Sequence, residues 1–322
     1  MLVGEVGDAG PAASAAELVT VARDLAKRTG RACAAVLFGE KAGQAAEALA
    51  SMGPDEVFFV DGPAPGLYRP EAAAAAVKAA LEERPASMLL LSNSPLGQDL
   101  APRLAFDLGA GLVTDCVGFD VTGEGLVCTR PVYGGNVLAG CVSRRDVLVA
   151  TVRQHAFEAA GEGADACPVT ELTPDLPAPS SYRPLEKVEE KSGDVALEDA
   201  RVVVSGGRGV GGREGFDELA DFAGMLGGAL GASRPPVDSG WIHTTAQVGI
   251  TGKIVAPDVY FAVGLSGSSQ HLTGMSDSRT VVAVNNDPGA YIFSVSDYGV
   301  VGDWRAVLPA LRERLAELTR EG

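Results

Sequence analysis

Through the first half of the chain, short and nearly continuous apolar runs alternate with alanine-rich segments of helical periodicity. The pattern predicts strands over 2–6, 33–38, 56–60 and 87–91. Helices are predicted from Ser14 to Arg28 and over 41–51, 71–83 and 98–108, the third stopping before Pro85. Ser14 and Glu17 have the spacing of a capping box for the first helix. Strands apolar on both faces, separated by helices, imply an α/β fold with a mostly parallel sheet under helical cover. From about residue 114 the rhythm changes. Runs over 116–121, 125–132, 136–143 and 147–152 follow one another with Gly or Arg/Asp turns, which reads as an antiparallel extension.

The stretch over 167–194 carries Pro168, Pro174, Pro177, Pro179 and Pro184, with a Glu/Lys cluster over 186–191. It reads as a linker or a strap over the surface. The expected division is an N-terminal domain over 1–194, this linker included, and a C-terminal domain over 195–322. The second half restarts with a strand over 201–205 that runs into a glycine-rich loop over 206–212, followed by a helix over 216–230. A strand over 259–263 enters a Gly/Ser loop over 264–271. A strand over 280–285 ends in Asn285-Asn286-Asp287-Pro288, and a short strand covers 292–295. The last helix, over 304–318, carries Val307, Leu308, Leu311 and Leu315 on one stripe.

Composition sharpens this picture. The 322 residues suggest about two domains. At 46% hydrophobic and 21% charged, the chain has the balance of a globular protein rather than a disordered one. A net charge of −16 repels phosphate backbones and argues against general nucleic-acid binding, while leaving room for one nucleotide held by local dipoles and a few arginines. The five cysteines form no CxxC and read as small buried residues of a reduced compartment. The three histidines form no HxxxH or HExxH pattern, so no zinc site is expected. There is no signal-peptide pattern and no apolar run long enough for a membrane span, so a cytoplasmic protein is expected.

The chemistry points to a cofactor site without an acid/base pair. A glycine-rich turn between strand and helix lets the backbone approach a phosphate, and the loop over 206–212 is placed for that. Its spacing is not a clean GxGxxG, and tight packing of a crossover is the competing explanation. A dinucleotide fingerprint would also place an acidic residue after the second strand. Here that position reads Ser233-Arg234, which argues against an ordinary NAD site. An arginine there can pair with a phosphate or lie over a planar ring. The Gly/Ser loop from Ser266 to His271 repeats the anion-loop physics. For Ser268 and Ser269 ordinary turn chemistry competes, and a lone histidine such as His271 is more often a packing residue. With no GxSxG elbow, electron transfer fits better than bond breaking.

The second half resembles the alpha subunits of electron transfer flavoproteins. The resemblance runs through Val204-Ser205-Gly206-Gly207-Arg208-Gly209, Gly231-Ala232-Ser233-Arg234 and Gln247-Val248-Gly249 before Thr251-Gly252-Lys253. It continues in Ala262-Val263-Gly264-Leu265-Ser266-Gly267, Gln270-His271-Leu272, Gly274-Met275, Asn285 with Asp287-Pro288, and Asp297-Tyr298-Gly299 before Asp303. The first half is similar more loosely, through Gly97-Gln98-Asp99-Leu100-Ala101-Pro102-Arg103 and Arg130-Pro131-Val132-Tyr133-Gly134-Gly135-Asn136.

The resemblance implies a doubly wound C-terminal domain that binds FAD and a heterodimer with a beta subunit. Such a pair carries electrons from flavin dehydrogenases, such as acyl-CoA dehydrogenases, to a downstream acceptor. By similarity, Arg208 would contact the phosphate and ribityl region with Ser233 alongside, and Arg234 would lie by the isoalloxazine. Gln247, Val248, Gly249, Ile250 and Thr251 would run along the ring, with the Thr251 hydroxyl near N5. Ser266, Gly267, Ser268, Ser269 and Gln270 would hold the pyrophosphate and ribityl chain. His271 would face the N1/O2 edge and favour anionic forms, and Asn285, Asp303 and Trp304 would line the adenosine end. Two positions depart from the family. Ile250 stands where glutamine is common and cannot hydrogen-bond, and Pro288-Gly289-Ala290-Tyr291 replaces the usual Pro-Glu-Ala-Pro. An electron-bifurcating subunit, an oxidoreductase with its own substrate and a flavin-free scaffold are the rival readings.

Overall fold

Side-chain alternation along the strands builds the first sheet from both faces. In β1 (Leu2–Gly4) and β2 (Ala34–Gly39), Leu2, Ala35 and Leu37 point to one side, and Val3, Ala34 and Val36 to the other. The same split continues in β3 (Glu56–Asp61), β4 (Met88–Ser92) and β9 (Leu148–Val152), while β5 (Gly111–Cys116) adds Val113 and Cys116 to the Leu2 side. On the Leu2 side pack α1 (Ala13–Thr29), α2 (Ala42–Ala50) and a three-stranded antiparallel sheet of β6 (Gly118–Thr122), β7 (Gly125–Val132) and β8 (Val137–Val142). On the Val3 side pack α3 (Pro70–Glu83) and α4 (Pro95–Asp107). With β10 (Val169–Glu171) on one edge, the strand order is β10-β3-β2-β1-β4-β9-β5, all parallel.

This computed structural model describes the chain apart from residues 8–9, 62–67, 124, 134, 136, 164, 178–195 and 322 and the side chains of 316–321. The chain divides into two compact units, Met1–Val188 and Glu189–Gly322. Most of the proline-rich stretch, with Pro179, Pro184 and the Glu/Lys cluster, lies outside the described residues. Its beginning is not a linker, because Val169–Glu171 pairs in parallel with β3.

The second unit holds one five-stranded parallel sheet. Its members are β11 (Val202–Gly206), β12 (Ala229–Ala232), β13 (Val259–Val263), β14 (Val281–Asn285) and β15 (Tyr298–Val301), in the order β12-β11-β13-β14-β15. Helices α5 (Arg213–Met225) and α8 (Trp304–Glu321) cover one face through Phe216, Leu219, Phe222, Trp304 and Leu308. The opposite face is covered by irregular chain that supplies Leu197, Val248, Val255, Met275 and Ile292. Two short helices, α6 (Arg234–Asp238) and α7 (Ser269–Leu272), follow the ends of β12 and β13.

Five expectations are corrected. The run over 147–152 is not part of the antiparallel sheet. β9 inserts between β4 and β5 in parallel, as its burial on both faces requires. Ser14 and Glu17 form no capping box. Ala12 is the N-cap, without a side-chain bond, and the buried Glu17 carboxylate accepts the His155 N–H at 2.8 Å. The fourth helix starts at Pro95, with Ser94 capping through the Gly97 N–H at 3.1 Å. The fifth ends at Met225, because the chain turns at Gly227 (φ 62°) to enter β12. Residues 292–295 belong to a 3-10 turn (Tyr291–Val295), and the edge strand is Tyr298–Val301.

Candidate functional site

The order of the second sheet places a site before any side chain is considered. From β11 the chain passes to β12 on one side and returns to β13 on the other. Ligands of open parallel sheets bind in the crevice outside the carboxyl ends of the strands at such a reversal. The loop after β11 and the loop after β13 meet there.

The first loop divides into a packed half and an open half. Gly207 N–H donates to Val263 O at 2.9 Å and Gly209 N–H to Gly264 O at 3.1 Å. A Cβ at Gly207 would collide with the Gly264 carbonyl oxygen. These glycines therefore bring two backbones together, so the packing explanation holds for them. Arg208, between them in the chain, is exposed and has no ion pair among the described residues.

The second loop is richer in unused donors. Ser266, Ser268, Ser269 and Gln270 are exposed, whereas Gly267 is buried. Ser266 O accepts from Ile292 N–H at 3.2 Å, and Leu265 O accepts from the Asn285 side-chain amide at 2.7 Å. The carbonyls are thus turned inward. No acceptor among the described residues takes the backbone N–H groups of Ser266, Gly267 or Ser268. Unpaired N–H groups and hydroxyls beside a free guanidinium suit a polyphosphate.

The segment over 247–251 runs beside this loop. Val248 N–H donates to Ala232 O at 2.8 Å and Ile250 N–H to Gln270 O at 2.8 Å. Gln247 Nε2 donates to Thr251 Oγ1 at 2.9 Å. Gly249 is buried, and Ile250 is 54% exposed, an apolar side chain on an otherwise polar rim. Ser233 is buried at the start of α6, its N–H donating to Gly206 O at 3.0 Å. Arg234 is exposed, and its Nε reaches Asp238 Oδ2 at 3.3 Å.

Four residues named for the site are occupied with the fold. His271 is buried to 3% exposure, and both ring nitrogens are engaged. Nδ1 lies 3.0 Å from Val248 O, which can only accept, so Nδ1 carries the proton. Nε2 is then the acceptor for the Tyr260 hydroxyl at 2.8 Å. Burial pushes the His271 pKa down to about 4. The ring is neutral with no N–H to spare, which corrects the expectation that His271 favours anionic flavin. Asn285 spends its amide on Leu265 O and its carbonyl oxygen on Asp287 N–H at 3.0 Å. Asp303 accepts from Arg305 N–H at 3.0 Å at the start of α8. Trp304 is a core residue at 4% exposure rather than an open lining, and the Arg305 guanidinium lies 4.7 Å from its ring centroid. Tyr260, whose hydroxyl takes up the remaining ring nitrogen of His271, escapes sequence reasoning. Its one signal is a polar tip in the otherwise apolar β13.

Comparison with known proteins decides the family. Residues 1–177 match the electron transfer flavoprotein domain, and residues 196–276 match the electron transfer flavoprotein FAD-binding domain. The chain is 40% identical over 309 residues to an electron transfer flavoprotein subunit alpha of Thermoanaerobacterium thermosaccharolyticum, covering 94% of this chain and 93% of that protein. It is 36% identical over 284 residues to the subunit alpha of Bacillus subtilis, covering 88% and 87%. It is 37% identical over 307 residues to Protein FixB of Clostridium saccharobutylicum, covering 94% and 91%. The chain belongs to the alpha-subunit family of electron transfer flavoproteins. Electron transfer flavoprotein alpha subunits pair with a beta subunit, and their second domain binds flavin. That domain's match covers the Arg208 loop, the 247–251 segment and the Ser266 loop. No described helix is long and apolar enough to cross a membrane.

Proposed function

We propose that the C-terminal unit holds FAD and that, with its beta subunit, the chain carries electrons from cytoplasmic flavin dehydrogenases, such as acyl-CoA dehydrogenases, to a downstream acceptor. The supporting observation is the unpaired donor set at the β11/β13 reversal: exposed Arg208, the hydroxyls of Ser266 and Ser268, and the free N–H groups beside them. In a chain of net charge −16, this local excess of donors fits a pyrophosphate.

The bound flavin would supply the redox chemistry, and the protein binding and electrostatics. Arg208 neutralises phosphate charge. Ser266 to Gln270 donate hydrogen bonds from backbone and side chain, and Ser233 lies alongside. Arg234 places a cation by the ring, where it stabilises electrons added to the flavin. Gln247 orients the Thr251 hydroxyl toward N5, Val248 and Gly249 carry the segment past the ring, and Ile250 contributes apolar cover. His271 acts as a neutral strut that ties the 247–251 segment to β13. Asn285 and Asp303 shape the adenosine end, with Trp304 supporting it from the core.

The test is the flavin content of the co-purified heterodimer. The expected result is a yellow complex that releases one FAD per alpha chain on denaturation. A colourless complex that takes up no FAD, or one that releases only FMN, overturns the reading.

A further inference from the structure

Three of the five cysteines gather where the three-stranded sheet packs on the first unit's main sheet. Cys116 ends β5, Cys128 lies in β7 and Cys141 in β8, and all three join the same apolar cluster. Cys116 and Cys128 are fully buried, whereas Cys141 is half-buried on β8, an edge of its sheet among the described residues. Cys128 and Cys141 are direct register partners. Opposed residues of an antiparallel pair point to one face with Cα atoms about 4.5–5.5 Å apart. Disulfides span about 4.4–6.8 Å between Cα atoms, so this pair can close without moving a strand.

Cys116 adds a second feature. Its thiol donates to Val113 O at 3.8 Å, and its closeness to Cys128 pushes the Cys116 pKa up and holds Cys128 below the usual thiol range. Cys128 is therefore the thiol of this pair that ionises first, and the thiolate is the nucleophile in sulfur exchange. The accessible thiol of the cluster is Cys141, and its cross-strand neighbour is the activated one.

We propose that Cys141 is a hydroperoxide-sensing thiol that Cys128 resolves into a reversible cross-strand disulfide. In the first step the Cys141 sulfur attacks the hydroperoxide. The O–O bond breaks, sulfur is oxidised by two electrons to the sulfenic acid, and the alcohol leaves (water, when the oxidant is hydrogen peroxide). In the second step the Cys128 thiolate attacks the Cys141 sulfur. The S–S bond forms, the S–O bond breaks, and hydroxide leaves to take up the proton that Cys128 released. Two thiols and one hydroperoxide thus give one disulfide, one alcohol and one water. Cys116 stands beside Cys128 and is not consumed. The product ties the middle strand of the small sheet to its edge strand, and a thiol reductant reverses it.

The test uses the intact heterodimer treated with hydrogen peroxide, after which free thiols are blocked and the protein is cleaved without reduction. Cleavage after Phe119 and Tyr133 places the three cysteines on separate peptides. The expected product is a linked pair containing Cys128 and Cys141, lighter by two hydrogens than the free peptides and lost on adding dithiothreitol. Cys128→Ser should instead accumulate a sulfenic acid at Cys141 that dimedone traps. Cys116→Ser should keep the link but slow its formation several-fold. A link between Cys116 and Cys128, a sulfinic acid at Cys141 with no link, or three unmodified thiols in the wild-type complex would each overturn the proposal.

Discussion

In each unit the first strand of the parallel sheet lies where the strand order reverses, and these two reversals are furnished in opposite ways. In the first unit β1 lies between β2 and β4, and the charged and amide groups at the strand ends pair with one another, the buried Ser92 hydroxyl being left without a partner among the described residues. The Glu5 carboxylate accepts from the Ser94 hydroxyl, and burial raises the Glu5 pKa. Close by, Asn93 bonds Thr151 and Asp115, and Arg153 forms a two-point pair with Asp115 at 3.0 and 2.7 Å. In the second unit the corresponding loops leave Arg208, the hydroxyls of Ser266 and Ser268 and several N–H groups unmatched among the described residues, while the Ser269 hydroxyl donates to Gln270 Oε1 at 3.3 Å. The same strand order therefore does not decide where a ligand binds. What decides it is whether the donors and acceptors at the carboxyl ends already have partners. An inward-held carboxylate such as Glu5 repels a phosphate, and a free guanidinium attracts one.

The largest expected effects come from backbone clashes placed at each reversal. A Cβ at Gly207 would meet the Gly264 oxygen, and a Cβ at Gly97 would meet the Ser92 oxygen. Gly207→Ala and Gly97→Ala should each cost about 3 kcal/mol in denaturant titrations. Only Gly207→Ala should also release flavin from the heterodimer. Equal flavin loss in both variants would break the contrast between the units.

Acid should act on the two units with opposite sign. The buried His271 titrates at about 4, against 6.5 for the free side chain. Protons therefore favour the unfolded chain. The stability His271 contributes is present above pH 6.5 and is lost as pH falls toward 4. The full loss is about 3 kcal/mol at 1.36 kcal/mol per pKa unit. Glu5, with its folded pKa raised above 4.5, binds its proton more readily when folded, so its contribution grows as pH falls through the raised value. Urea midpoints of His271→Gln and Glu5→Gln, each taken relative to wild type between pH 7 and 4.5, should diverge in opposite directions. Parallel trends would contradict the assignment of buried states.

Smaller effects separate binding from folding. Arg208→Ala should weaken FAD binding by about 10-fold to 100-fold, the range for a hydrogen bond to a charged group, and Ser266→Ala by about fivefold. Both side chains are exposed, so the flavin-free stability should stay within about 0.5 kcal/mol of wild type. Arg234→Ala should also change stability little. Its ion pair with Asp238 is solvent-exposed and worth less than about 1 kcal/mol. That variant should nonetheless lower the flavin reduction potential in spectroelectrochemical titration. An unchanged potential would remove Arg234 from the ring's surroundings.

What the sequence reveals follows from how local each cause is. The parallel strands are legible because β2, β4, β9, β11 and β13 are apolar on both faces, a property written in consecutive residues. The partner of β9 is not legible, since the same run Leu148–Val152 suits either sheet and long-range pairing chooses between them. Ser14 and Glu17 have capping spacing, yet Glu17 sits on the buried stripe of α1 and meets His155, which is 138 positions away. In the site, the Gly/Ser loops announce themselves by composition. Which glycines close onto backbone and which donors stay free depends on how Gly207 meets Gly264. The His271 tautomer depends on Val248, and the engagement of its other nitrogen on Tyr260, two residues that carry no motif of their own.

The claim at the centre of this account is that the unmatched donors of the second unit hold the cofactor. Titration of FAD onto the flavin-free heterodimer measures this directly, with wild type, Arg208→Ala and Glu5→Ala compared side by side. The account predicts wild-type affinity for Glu5→Ala and a loss of about 10-fold or more for Arg208→Ala. Unchanged affinity in Arg208→Ala, or a larger loss in Glu5→Ala, would contradict it.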